Sequence, residues 1–257
     1  MLRCEYHVAQ QLVWDADFRR AFLSSPQQTV QERYPDLKEL GRFGPQQFCG
    51  IEEAAYYRVA SASRASKAVF PRGHQLVIAY GGLRFFEVLL ADYLDAPRPW
   101  DAVYEVFDGY ILGPHMLTVA RKYPWSDGAT WIVPVLEYEW ARWHTRRVIE
   151  GWSSIMPKRG RLTEGACLVA ADFDLLALLA EIDRLVSAWV PPEVYVWRAR
   201  PGSGIYRAGI FAKNKDIAEV RLSEDTFDTV RAVADDPTTP IDPQIQEALI
   251  EIGLLAP

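Results

Sequence analysis

The chain has 257 residues, of which 49% are apolar and 24% are charged, so it can bury a sizeable core as one or two domains. Its formal net charge of −6 argues against general binding to nucleic acid or to an anionic membrane, and no apolar run approaches the roughly 20 residues of a transmembrane helix. The three widely spaced cysteines form neither a disulfide framework nor a metal knuckle, and with no signal peptide in view they predict a reducing, cytoplasmic location.

Two helix starts are predicted near the N-terminus. Asp15 precedes a segment in which Phe18 and Phe22 recur at helical spacing, and it can cap a helix there. Ser25 and Pro26 have the form of a cap followed by the first helical position of a second helix. Both patterns indicate that the chain begins with short helices.

Longer helices follow, separated by proline and glycine. Apolar residues recur at helical spacing over residues 45–69 and again over residues 74–93. The pair Gly81–Gly82 lies inside the second of these helices and costs about 1 kcal/mol per glycine relative to alanine, which we attribute to close helix packing. A further helix is expected over residues 133–149. These features predict a helical domain over residues 1–152.

The C-terminal part predicts a small sheet followed by helices. After a polar and basic linker, apolar or alternating runs indicate a helix over residues 174–186 and several strands. Ser223 can cap the penultimate helix, and Pro243 can open the last one. We therefore predict an α+β fold, with a winged-helix-like domain over residues 163–257. The predicted strands are residues 166–170, 194–200, 205–213 and 217–222.

The charges of this C-terminal domain are segregated. No acidic residue lies between Val194 and Lys215, whereas acids dominate from Asp216 onward. A basic sheet with an available edge suits an extended acidic peptide, which can add as another strand. On the 194–200 strand we expect the aromatic face to pack on helices and the arginine face to meet the peptide, although a solvated basic face is the alternative. The candidate peptide-binding residues are Tyr195, Trp197, Arg198, Arg200, Tyr206, Arg207, Phe211 and Lys213.

The sequence contains no complete catalytic constellation. It lacks a nucleophile elbow, a P-loop and a dinucleotide-binding glycine motif, and its four histidines are far apart. Glu137 and Glu139 face different directions on a helix, and we expect Glu139 to form a structural ion pair with an arginine such as Arg147. We therefore assign no catalytic residue, metal ligand or cofactor to this chain.

Tryptophan and arginine are concentrated between residues 125 and 152. Both residue types are enriched at binding hot spots, which favours a protein–protein interface in this region. Trp140 and Trp143 also share helical spacing with Leu136, so packing in the core is the alternative for these two side chains. The candidate partner-interface residues are Trp125, Trp131, Glu139, Trp140 and Arg142.

Three segments together resemble a known family. They are DFRRAFL with a following proline at residues 17–26, PW and WIVPVLEYEWAR within residues 124–142, and DLLALL after a strand at residues 174–179. In this order, over most of the chain, they resemble the partner proteins of multinuclear non-heme iron-dependent oxidative enzymes, which modify ribosomally made peptides. Examples are the partner subunits of the methanobactin and 3-thiaglutamate pathways, and the length suits the second type.

The resemblance implies a non-catalytic subunit of a heterodimer. Its helical part would pack on the iron enzyme, a triosephosphate-isomerase-type barrel that supplies all the iron ligands. Its C-terminal part resembles a peptide recognition element, which would hold the leader of a precursor peptide and present the cysteine-containing core. Two alternatives stay open: a winged-helix DNA-binding regulator, which the acidic final helices disfavour, and a helical enzyme with an unrecognised pocket.

Overall fold

The computed structural model describes residues 8, 11–12, 15–35, 51–95, 109–152, 160–187 and 199–256. Within these ranges the chain is mainly helical and forms a three-stranded antiparallel sheet, which confirms the predicted α+β class. Its contacts define two compact units, residues 1–68 with 81–124 and residues 69–80 with 125–257. None of the described helices is both long and apolar enough to cross a bilayer.

Of the two caps predicted at the start of the chain, the one at Asp15 is confirmed and the one at Ser25 is not. The Asp15 carboxylate accepts hydrogen bonds from the backbone N–H groups of Asp17 and Phe18, both at 2.9 Å, as predicted. Ser25 makes no side-chain cap, but Pro26 takes the first helical position. The two long helices expected next are also confirmed. The helices up to this point are α1 (Ala16–Ser24), α2 (Pro26–Arg33), α3 (Ile51–Val69), α4 (Gly73–Asp95) and α5 (Gly109–Ala120).

The first unit has a small core of its own near α1 and α2. An ion pair at 3.0 Å joins Asp17 of α1 to Arg84 of α4, and hydrogen bonding by Arg84 lowers the pKa of Asp17. In the same unit, Phe18 packs on Phe22 and meets Tyr34 edge to face. The buried side chains of this cluster are Val8, Leu12, Phe18, Phe22 and Val30.

The glycine pair in α4 marks a kink. Gly82 has φ 59° and ψ −165°, a backbone conformation that residues other than glycine rarely adopt. A Cβ atom placed at Gly82 would meet no atom within 4 Å. The prediction that close packing requires this glycine is therefore wrong, because backbone conformation and not space accounts for it.

The second unit contains the sheet. Three of the four predicted strands are confirmed, and the fourth, residues 194–200, lies outside the described residues except for Ala199 and Arg200, which belong to no strand. Ser223 accepts a hydrogen bond from the backbone N–H of Thr226 at 3.2 Å and so caps the penultimate helix as predicted. The elements are α6 (Ile132–Ile149), β1 (Cys167–Ala171), α7 (Leu175–Ser187), β2 (Tyr206–Lys213), β3 (Asp216–Arg221), α8 (Glu224–Asp235) and α9 (Pro243–Ile252).

Helices cover both faces of this sheet. Strand β2 is central and pairs antiparallel with β1 and with β3. Helix α6 packs on one face, where the ring of Tyr138 meets that of Tyr206 edge to face at 5.9 Å. On the other face Phe211 belongs to an apolar cluster with residues of α8 and α9. Helix α6 thus belongs to the same compact unit as the sheet, whereas the predicted division near residue 152 places the two in different domains.

The segment after α9 completes this core. Leu254 is fully buried, and a Cβ atom at Gly209 would come within 2.8 Å of its side chain. The backbone N–H of Thr163 donates to the carbonyl of Leu254 at 3.1 Å, and that of Ala256 donates to the carbonyl of Arg161 at 2.7 Å. The last turn of the chain is therefore both packed and hydrogen-bonded against the segment before β1.

Leu254→Ala tests the importance of this packing. Removing a fully buried leucine side chain costs about 2–5 kcal/mol, because apolar contacts are lost and a cavity remains. We expect the free energy of unfolding, measured by urea denaturation, to fall by that amount. Leu176→Ala on α7 is the matched control, since this leucine is exposed and its loss should cost less than about 1 kcal/mol. Equal losses in the two variants would contradict the packing described.

Candidate peptide-binding edge of the C-terminal sheet

Strand addition requires an edge, and within the described residues β1 and β3 are the edge strands. Strands β2 and β3 are joined by a turn in which Asn214 and Lys215 have φ of 53° and 64°. The Leu222 N–H donates to the Arg207 carbonyl at 3.0 Å, which continues the ladder beyond β3. Because alternate residues of an antiparallel strand bond to the same neighbour, the N–H and C=O groups of the intervening positions point to the outer edge. Those positions are Ile217, Glu219 and Arg221.

A hydrogen-bonded group of side chains, here called the Glu219 cluster, links this edge to α6. It consists of Tyr138, Arg142, Tyr206 and Glu219. The hydroxyls of Tyr138 and Tyr206 each donate to one carboxylate oxygen of Glu219, at 3.0 and 2.9 Å. Tyr206 is fully buried, and burial together with the Glu219 charge raises the pKa of its phenol. The cluster therefore links the outer strand to α6 through both oxygens of one carboxylate.

Three cations border β3, and we call them the arginine edge: Arg142, Arg146 and Arg221. The Arg142 guanidinium lies 3.7 Å from the Glu219 carboxylate, and the Arg146 guanidinium lies 3.6 Å from that of Asp216. The Arg221 guanidinium lies 4.2 Å from the centre of the Tyr206 ring and donates to the carbonyl of Ile205 at 3.1 Å. With Lys213 and Lys215 at the hairpin turn, cations outnumber acids along this edge of an acidic protein.

The β1 edge has the opposite charge. Glu164 precedes the strand, and Asp172 and Asp174 follow it, all three on the surface. Arg207 donates to Asp172 at 2.7 Å, while Asp174 accepts from the N–H of Ala177 at 3.0 Å at the start of α7. An acidic peptide would meet repulsion at β1 and attraction at β3.

The predicted peptide-binding residues occupy several environments. Tyr206 and Phe211 are buried in the unit, so their rings do not reach the surface. Arg207 lies over the Phe227 ring and pairs with Asp172, whereas Lys213 is exposed at the end of β2. Arg200 is the one predicted residue of the 194–200 strand that lies within the described residues. Tyr195, Trp197 and Arg198 lie outside them.

Two predicted residues from different groups meet at one tyrosine. Arg200 donates to the hydroxyl of Tyr80, and its guanidinium lies 5.5 Å from the centre of that ring. Trp131, predicted to bind a partner, meets the same ring edge to face at 5.4 Å. Burial raises the pKa of Tyr80. Arg200 and Trp131 are remote from each other in sequence, and no sequence signal indicates that both contact Tyr80.

The remaining predicted partner-interface residues are mostly internal. Trp125 and Trp140 are buried, and the Trp140 ring stacks on Trp143 at 5.3 Å and on His144 at 5.6 Å. The core-packing alternative therefore describes Trp140 in this fold. Arg142 is the exception, since 42% of its side chain is exposed.

Most residues of the arginine edge and of the Glu219 cluster were not predicted from the sequence. Sequence reasoning identified Arg142, but assigned this residue to a partner interface, and it did not identify Arg146, Glu219 or Arg221. A signal was available on α6, because Tyr138, Arg142 and Arg146 are four residues apart and therefore share one face of a helix. What the sequence could not supply was the strand beside that face.

Glu139 has a separate, structural role. Its buried carboxylate accepts hydrogen bonds from the backbone N–H groups of Arg72 and Gly73 at 2.9 and 2.7 Å, at the start of α4. It also lies 3.6 Å from the Arg72 guanidinium, which binds both oxygens of Asp183 on α7. The expected ion pair is thus present with Arg72, while Arg147 pairs with Glu150. Burial outweighs these favourable contacts and raises the pKa of Glu139 from 4.5 to about 7.

Comparison with known proteins adds no relative. No protein-family model matches the sequence, and no curated protein shows significant similarity to it. Across the part of the chain that the structure describes, no group of three or more His, Cys, Asp and Glu side chains lies close enough to hold a metal ion.

Glu139→Gln tests the cost of the buried carboxylate. Because the pKa is higher in the folded than in the unfolded protein, the folded state holds the proton more tightly, and stability from this group falls as pH rises from about 4.5 to about 7. The wild-type free energy of unfolding, minus that of Glu139→Gln, should therefore decrease by about 3 kcal/mol across this range.

Urea titrations at several pH values measure this difference. Glu150→Gln is the control, since its side chain is 45% exposed and the substitution therefore removes a surface carboxylate and not a buried one. A Glu139 difference that grows with pH would mean that the two backbone donors and Arg72 outweigh the cost of burial.

Proposed function

We propose that this protein is the non-catalytic, peptide-binding subunit of a two-protein, iron-dependent oxidative enzyme acting in the cytoplasm. Its C-terminal unit binds the leader of a ribosomally made precursor peptide as an added strand at β3. The iron belongs to the barrel-type partner enzyme, to which this subunit presents the cysteine-containing core of the peptide. The observation that carries the proposal is the arginine edge of β3, a cationic sheet edge on an acidic protein.

The arrangement of layers supports binding at an edge. Helices α6, α8 and α9 cover the two faces of the sheet, so a ligand cannot lie flat on β2. An added strand needs only the outward backbone groups of Glu219 and Arg221, and it gains affinity from main-chain hydrogen bonds. The positive charges of the edge favour an acidic peptide over a basic one and speed the encounter between them.

In this proposal the second unit is a winged-helix-like peptide recognition element. Helix α6, strand β1 and helix α7 precede the β2–β3 hairpin, an order of helix, strand, helix and wing. The same order occurs in DNA-binding regulators, but α8 begins with Glu224 and Asp225, and acids at a helix N-terminus oppose phosphate. Charge therefore favours the peptide as the ligand.

In this proposal the partner enzyme docks on solvent-accessible aromatic residues at the two ends of α6. Trp131 is half-buried and Trp152 is 54% exposed, whereas Trp125, Glu139 and Trp140 are used within this chain. The Arg147 guanidinium lies 5.0 Å from the Trp143 ring and 5.7 Å from the Trp152 ring, which holds an aromatic and cationic group at the end of α6. Groups of this composition are typical of interface hot spots.

Arg221→Pro tests strand addition at β3. Proline removes the N–H at position 221, which points to the outer edge, and leaves the ladder to β2 intact. A labelled leader from a short cysteine-containing precursor encoded beside this gene should bind at least about fivefold more weakly to this variant than to Arg221→Ala. Arg221→Ala is the matched control, because it removes the same guanidinium and keeps the N–H. Equal binding to the two variants would exclude β3 as the docking strand.

A second experiment tests the division of labour. The purified subunit alone should hold no stoichiometric iron and should leave the precursor peptide unmodified, since the proposal places the reaction in the partner. Metal analysis and mass spectrometry of the peptide measure both quantities, with the co-purified pair as the positive control. Iron bound tightly to the isolated subunit, or modification by it, would contradict the proposal.

A further inference from the structure

Helix α6 runs alongside β3 in the opposite direction. Its Tyr138 and Arg142 contact Glu219, and Arg146, one turn later, contacts Asp216, which lies earlier on the strand. Increasing residue number on the helix thus corresponds to decreasing number on the strand. The helix consequently presents one stripe of side chains along the outer edge of the sheet between Glu219 and Asp216.

The spacing along this stripe matches the spacing of a strand. Arg142 and Arg146 are four residues apart, which corresponds to about 6 Å of rise on an α-helix. Alternate residues of a β-strand share a face and are about 6.7 Å apart. Two such residues of a peptide lying beside β3 would therefore each face one arginine, whereas two adjacent residues would point to opposite faces.

The register of the sheet identifies the face concerned. Glu219 lies opposite Ile210, and Arg221 lies opposite Ala208, in the pairing of β3 with β2. Directly opposite residues share a face, and Tyr206, two residues from Ala208, faces α6 through its contact with Tyr138. The α6-facing residues of an added strand would hence extend the row that contains Glu219 and Arg221.

The two arginines can bind further carboxylates. Each guanidinium carries five N–H donors. Arg142 uses one of them on the Tyr138 hydroxyl at 3.4 Å. The contacts of Arg142 with Glu219 and of Arg146 with Asp216, at 3.7 and 3.6 Å, are longer than a charge-assisted hydrogen bond of about 2.8 Å. The Arg142 and Arg146 side chains are 42% and 49% exposed. An external carboxylate can therefore approach either one without displacing the existing acid.

Building on the proposed peptide-binding function, we infer that Arg142 and Arg146 are specificity-determining residues that select an extended peptide with acidic residues at two alternate positions. The main chain of the peptide pairs with β3, and its two α6-facing carboxylates each bind one arginine. Position 221 supplies the backbone contact, and the arginine pair supplies the selection.

Two synthetic peptides of about nine residues, made of valine, threonine and two glutamates, test this selection. They have the same composition, and the glutamates are either alternate or adjacent. By fluorescence anisotropy at low salt, we expect the alternate isomer to bind wild type about fivefold more tightly than the adjacent isomer. The preference should disappear in the Arg142→Gln/Arg146→Gln double variant and persist in the control Arg231→Gln, whose exposed arginine lies on α8.

A charge-reversal variant distinguishes a loss of selectivity from a loss of folding. The Arg142→Glu/Arg146→Glu variant should prefer a peptide with lysines at the alternate positions, a gain that an unfolded protein cannot show. Equal binding of the two glutamate isomers to wild type would overturn the inference and leave strand addition standing. Binding of neither isomer, together with no effect of Arg221→Pro on the leader, would overturn both.

Discussion

Burying the carboxylate of Glu139 against the start of α4 is the constraint on which the second unit depends. Two backbone N–H groups and the Arg72 guanidinium converge on it, and Arg72 in turn binds Asp183 of α7. A Cβ atom at Gly73 would lie 2.5 Å from the Leu136 side chain and 3.0 Å from the Glu139 carboxylate, so a larger residue here would force Leu136 to move. One acid thereby fixes α6 relative to the start of α4 and to α7.

Tyr138, the residue before Glu139, connects α6 to the sheet. Tyr138 and Glu139 point in different directions from α6, so the helix that Glu139 holds on one side carries the Tyr138 contact with Glu219 on the other. Any shift of α6 along its axis would move Arg142 and Arg146 relative to β3 by the same amount. The geometry of the arginine edge therefore depends on a capping interaction that lies outside the proposed binding edge.

Local sequence signals predict the elements of this fold well and their partners poorly. The cap at Asp15, the cap at Ser223 and the strands at 205–213 and 217–222 follow from residues within a few positions of each other. The contact of Glu139 with Arg72 joins residues 67 positions apart, so helical spacing alone favoured Arg147. For the same reason the basic strand β2 looked like a binding strand. Its central place in the sheet, which buries Tyr206 and Phe211, is set by pairing with β1, a strand about 40 residues earlier.

The charges at β3 also answer a general problem of sheet edges. An exposed edge strand offers hydrogen-bonding groups to any other strand, and proteins commonly blunt such edges with charge. If two copies of this chain met edge to edge at β3, Arg142, Arg146 and Arg221 of one would face the same cations of the other, and like charges side by side are unfavourable. An acidic strand beside β3 would instead place opposite charges side by side, which is favourable. The same three arginines thus disfavour self-association and favour a strand of complementary charge, so protection of the edge and the proposed recognition at the edge need no separate sets of residues.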